Sequence, residues 1–178
     1  MKPSVGLFLF MIGISSVACT AGTSRDEIAD RDGSVPIAVE ALYSSTKCGH
    51  LDPGVNVTLI SNREQLASAY KGFRKDVLGA APIALPNVDF KHDVVVLVEM
   101  GQRPTLGYRL ALKKDVPAQA VAQHAEITLE WIEPGGDMMV GEMLTSPCLL
   151  LKLARGPYGE VWVKDQFGVK KSVLALPR

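Results

Sequence analysis

From Asp89 onward the apolar positions recur at every second residue. Val94-Val95-Val96-Leu97-Val98 is apolar at both parities, which predicts a central strand covered on both faces. Tyr108, Leu110 and Leu112 alternate with Arg109, Ala111 and Lys113, and Ile127, Leu129 and Trp131 with Glu126, Thr128 and Glu130. Leu149, Leu151 and Leu153 repeat the pattern, as do Val161 and Val163. These five segments, with turns between them, predict an antiparallel sheet. Upstream, Val55–Ile60 alternates as well, and Val35–Tyr43 has a composition compatible with a weak strand. Between them the period changes. Leu66, Ala69, Tyr70 and Phe73 fall at i, i+3, i+4 and i+7, one apolar stripe on a helix from about Asn62 to Lys75. Ser61 stands three residues before Glu64, the capping-box spacing, and Gly79 and Pro82 end the element. The expected fold class is α+β: a mainly antiparallel β-sheet, sandwich- or barrel-like, with one packed helix.

The N-terminus follows neither period. Lys2 is the only charge before Arg25, an apolar run covers Val5–Ile14, and the small residues Ser15-Ser16-Val17-Ala18 precede Cys19. A positive start, a short apolar stretch and a small-residue exit describe a secretory signal over residues 1–18. The run is shorter than the ~20 residues of a membrane span. Ser16-Val17-Ala18-Cys19 resembles a bacterial lipobox, with Ser16 where Leu is usual, which implies a lipid anchor on Cys19. Ser16 and Ala18 equally satisfy the small-x-small rule of ordinary signal peptidase. Thr20 at the following position carries no inner-membrane retention signal, so the expected location is the bacterial envelope, on the outer-membrane or periplasmic side. Residues 19–35 are polar and small and read as a tether; residues 36–178 read as one globular domain.

Charge narrows the function. Lys plus Arg and Asp plus Glu are 19 each, and loss of the signal takes Lys2 alone, leaving 18 against 19. A near-neutral chain has no bulk electrostatic grip on nucleic acid. The mean hydropathy of +0.16 owes nearly all its excess to the signal, so membrane contact is expected through the lipid anchor only. Of 178 residues, three are cysteines. With Cys19 assigned to the anchor, Cys48 and Cys148 remain. In an oxidising compartment such a pair can be joined, tying the loop before the helix to the sheet; two thiols that never meet is the alternative.

Catalytic patterns are missing from the sequence: no G-x-S-x-G, no H-E-x-x-H and no P-loop. His50, His92 and His124 lie in separate segments, and nothing near Cys48-Gly49-His50 completes a metal site. Glu126, Glu130 and Glu133 read as a solvated strand face. Neither an enzyme nor a cofactor is expected. Two connections stand out as surface candidates. In Gly101–Gly107, the glycines free the backbone at either end and Pro104 stiffens the tip, so little entropy is lost on docking. In Pro134–Met143, Met138, Met139 and Met143 cluster; methionine adapts to irregular partner surfaces, and folding back onto the sheet as core fillers is the alternative. The candidate partner-binding residues are Gln102, Arg103, Pro104, Thr105, Leu106, Met138 and Met139. Tyr108 is expected to begin the core face of its strand.

The apolar strand Val94–Val98, followed by Gly101-Gln102-Arg103-Pro104-Thr105-Leu106-Gly107-Tyr108 and an alternating strand, resembles the C-terminal domain of the PrcB family of protease-complex subunits. Thr145-Ser146-Pro147-Cys148 looks like that family's Thr-x-Pro-Tyr segment, with Cys148 where Tyr is commoner, and Val88-Asp89-Phe90 also fits. The likeness spans about residues 89–167. It implies an exported, often lipid-anchored, non-catalytic partner of a protease. Arg103–Tyr108 is also similar to the Asn-Pro-Thr-Thr-Gly-Tyr loop of chagasin-type cysteine-protease inhibitors, with Arg103 for Asn and Leu106 for Thr. That likeness implies the alternative function, a protease inhibitor presenting the Gly101–Gly107 loop to a protease cleft.

Overall fold

A computed structural model describes residues 33–73 and 84–177. The signal, Cys19 and the tether before Gly33 lie outside the described residues, as do Lys75, Gly79 and Pro82 at the expected helix end. Along the described chain the elements are β1 (Val35–Ile37), β2 (Val39–Ser45), β3 (Asn56–Ile60), α1 (Arg63–Gly72), β4 (Asp93–Glu99), β5 (Arg109–Leu112), β6 (Ala118–Val121), β7 (His124–Ile132), β8 (Cys148–Ala154), β9 (Glu160–Lys164) and β10 (Lys170–Ala175).

Two sheets stack. One has the order β2-β8-β4-β3, antiparallel throughout. The other runs β1-β6-β7-β9-β10, with β5 also paired to β7. The nine-residue β7 meets β6 near its start, Gln119 opposite Glu126, and β5 near its end, Leu112 opposite Leu129. β7 and β9 run parallel, a departure from the expected antiparallel order. Beyond the end of β9, the Gln166 side chain substitutes for a strand neighbour: its Oε1 accepts from Trp131 N and its Nε2 donates to Trp131 O.

The double-parity run in β4 finds cover on both sides, as its sequence requires. Val94, Val96 and Val98 join Leu149, Leu151 and Leu153 of β8 against Ile127, Leu129, Val161 and Val163 of the facing sheet. Val95, Leu97 and Leu150 face outward onto Leu66, Tyr70 and Phe73 of the helical segment. The fold is therefore three layers: sheet, sheet, helix. Tyr43 stacks on Phe73 with centroids 4.6 Å apart, which fixes the helix over β2.

Three local expectations need correction. Val35–Tyr43 is two strands in different sheets, with the chain crossing at Ala38; β1 pairs β6 and β2 pairs β8. The tether accordingly gives way to structure at Val35. The helix is capped one residue later than the capping-box spacing suggested. Asn62 Oδ1 accepts from Gln65 N, and Gln65 Oε1 accepts from Ser61 N, so Asn62 and Gln65 take the roles expected of Ser61 and Glu64. The strand count also exceeds expectation: Val35–Tyr43 yields two strands, the four-residue β6 carries barely one hydrophobic period, and β10, mostly half-buried or exposed, shows little alternation.

Candidate partner-binding surface

Thr145-Ser146-Pro147-Cys148 is a hub on which two other connections converge. Thr145 and Arg103 exchange backbone hydrogen bonds of 2.9 and 2.7 Å, and Thr145 Oγ1 donates to Thr105 O at 3.0 Å. Ser146 Oγ accepts from both Cys48 N and Gly49 N, at 2.9 and 2.7 Å. Pro147 O accepts from Met100 N at 2.9 Å. Cys148 is bonded to Cys48, with Cα atoms 5.9 Å apart. Both sulfurs belong to the outer cluster beneath the helix. The loop after β2 and the loop after β4 are thereby fastened to the entry of β8.

The Gly101–Gly107 loop is held along its length. Gly101 sits at φ +85°, and a Cβ there would lie 2.4 Å from Gly54 O, so this position requires glycine on two counts. Gln102 N donates to Asp52 O. The Arg103 guanidinium turns back into the protein, donating from Nη2 to Met100 O at 2.7 Å and from Nη1 to Pro53 O at 3.3 Å. It also lies 5.8 Å from the Tyr108 ring centroid. Tyr108 packs on the inter-sheet core, as its strand phase indicates. Arg103 and Thr105 thus shape the loop, while Pro104 and Leu106 occupy its exposed side.

The two candidate connections meet. Leu106 N donates to Gly141 O at 3.0 Å, and the space above Gly107 is occupied by Pro134 and Val140. Gly141 likewise lies against the Leu106 side chain. The methionines do not fold back as core fillers. Met139 is fully exposed, Met138 60% and Met143 45%, with Leu106 at 39% and Leu144 at 63%. These side chains and Pro104 are thus exposed apolar groups carried on one stitched pair of loops. Met143 belongs to the methionine-rich candidate connection although it is not among the candidate residues named from it; Leu144, the next apolar residue towards the hub, lies outside both candidate connections.

The histidines stand apart, each beside a different carboxylate: His50 by Glu99, His92 by Asp89 and His124 by Glu126. Glu126 is not simply solvated, since it also binds Lys164 at 2.7 Å. Burial pushes its carboxyl upward, but the hydrogen bonds from Lys164 and His124 outweigh this and hold it below the usual range.

The chain matches no curated protein and no solved structure. Residues 94–154, which run from β4 through both loops and the hub to its neighbour β8, match the family model described as PrcB C-terminal, the family whose strand–loop–strand motif the sequence carries.

Proposed function

We propose that this protein is a non-catalytic, lipid-anchored envelope protein that binds and stabilises a protease partner. The family match over residues 94–154 supports association with a protease complex. The observation that carries the reading is the set of exposed apolar side chains on the motif loop and on the connection stitched to it. Leu106, Met138, Met139, Met143 and Leu144 are all exposed on two loops that backbone hydrogen bonds hold in place and stitch together. Preorganised apolar side chains lose little entropy on binding and gain the desolvation of each methionine. Pro104, Leu106, Met138 and Met139 make the contact, and Gln102, Arg103 and Thr105 hold its shape. The signal over residues 1–18 and lipidation of Cys19 deliver the domain to the envelope surface.

The test is capture from cell envelopes on the tagged full chain, followed by a protease assay on the retained material. Proteolytic activity should be retained and should survive longer at 37 °C with the chain present. A double variant, Leu106→Asp with Met139→Asp, should lose capture at least tenfold while melting as the parent does. Capture of no proteolytic activity would remove the protease reading. Retained protease whose activity falls in proportion to the added chain would identify the inhibitor that the chagasin-like loop implies.

A further inference from the structure

The free edges of β2 and β5 face one another where the two sheets part. No backbone pairing joins them. Ser44 Oγ donates to Leu110 O at 3.2 Å and closes one end of the gap; the pairing of Ile37 with Ala118 closes the other. Between these ends lies a groove of about 620 Å³, within the ~300–1,000 Å³ range of small-molecule sites. Val39, Ala41, Leu112, Val116 and Pro117 line it, and Leu149, 1% exposed, is its most deeply buried wall. The lining is aliphatic, with no aromatic ring on which a planar ligand could stack.

Its cationic groups sit on one side. Lys113 and Lys114 line the groove just beyond the end of β5. Lys113 is shared with Asp115 at 2.9 Å, whereas Lys114 has no salt-bridge partner among the described residues. Apart from these, Ser44 is the one lining residue with a polar side chain, and its hydroxyl is committed to Leu110. An aliphatic slot with a cationic lip suits a ligand that is aliphatic along its length and anionic at one end. Because both ends are closed, an extended peptide strand cannot run through it.

We propose that this groove binds a long-chain fatty acid. The hydrocarbon tail lies along Val39, Ala41, Leu112 and Leu149, and the carboxylate sits at Lys113 and Lys114. The site is separate from the methionine surface, since none of its lining residues belongs to that surface.

A palmitic acid carrying a diazirine on its chain tests this in a detergent-free lysate of cells producing the full chain. After irradiation, adducts should map to residues 37–44 and 109–118, and unlabelled palmitate should compete them away. Shortening the competitor by one methylene should weaken it up to about fourfold, from ~0.8 kcal/mol per buried methylene. Ala41→Trp, which fills the slot, should cut labelling at least tenfold. Lys113→Glu with Lys114→Glu, on the groove's rim, should raise the competing palmitate concentration about fivefold or more, a worth of ~1 kcal/mol. Adducts scattered over the surface, or unchanged in Ala41→Trp, would overturn the proposal. So would equal competition by the chain-matched alcohol, or preferential labelling by a photoreactive diacyl phospholipid, which would mark the groove as a bilayer contact. Displacement of the probe by an apolar peptide but not by palmitate would assign it to a protein partner instead.

Discussion

Reduction of the Cys48–Cys148 bond should weaken the fold without abolishing it. The bond closes a separation of 100 residues. In the chain-entropy account, a loop of that length is worth about 4.7 kcal/mol, lost almost entirely from the unfolded chain's restriction. The folded geometry does not depend on the sulfurs alone. Cys48 N also donates to Ser146 O and Ser146 Oγ, Gly49 N donates to the same hydroxyl, and Ser146 N donates to Thr46 O. With the loop still fastened, the loss should be about 3–5 kcal/mol. The assay is urea unfolding followed by tryptophan fluorescence, with and without a phosphine reductant. At a slope of about 2 kcal/mol/M, the midpoint should fall by roughly 2 M. The variant Cys48→Ala with Cys148→Ala should unfold near the reduced protein and ignore the reductant. The reasoning fails if the midpoint holds within ~0.3 M while mass spectrometry shows both thiols free after reduction. It also fails if the unreduced, denatured chain alkylates at both Cys48 and Cys148.

Gly101→Ala should destabilise by more than about 2 kcal/mol in thermal melts, because a strained positive φ adds to a clash with the 52–54 backbone; Gly136→Ala, with open space around it, should stay within about 0.5 kcal/mol. Asp165 is buried, which pushes its carboxyl upward, but hydrogen bonds from Lys171 and from the backbone N–H groups of Val169 and Phe167 prevail and hold it below the usual range. A depressed folded value stabilises above the unfolded pKa and is lost as pH falls through the folded one. Asp165→Asn should therefore lower the melting temperature at pH 7, and the gap to the parent should begin to close only below about pH 4. Tyr158→Phe removes a hydrogen bond of 2.6 Å to Ala154 O and should cost about 1 kcal/mol by urea titration.

How much of this was legible follows from where each signal is local. Val94–Val98 announced its own double burial, because a strand with no polar face can only lie between two layers. Leu66, Tyr70 and Phe73 announced the helix stripe for the same reason. The sheet crossover at Ala38 was not legible: Val35–Tyr43 reads as one strand until β6 and β8, far along the chain, claim its halves. The parallel β7–β9 pair is likewise a fact of tertiary order, since His124–Ile132 carries the same alternation whichever way its neighbour runs. At the candidate surface, the sequence marked both loops but not their union. Leu106 N reaching Gly141 O depends on the 34 intervening residues folding first. Arg103 looked like a side chain offered outward, as charged loop residues often are. Its orientation is decided by the carbonyls of Met100 and Pro53, the second of which lies 50 residues away in sequence.

The crossover at Ala38 also orders events in time. β2 takes its single hydrogen-bonded neighbour from β8, and β1 takes its own from β6. The first two strands to emerge during synthesis thus cannot pair until residues far downstream have followed. Hairpins such as β6–β7 and β9–β10 close over short distances, whereas the N-terminal strands wait, and non-local pairing of this kind slows folding. β2 consequently stays unpaired until β8 arrives, as does the β8-facing edge of β4. The nascent chain carries an unprotected strand until its final third arrives, and the arrival of β8 completes the β2–β8–β4–β3 sheet in one step.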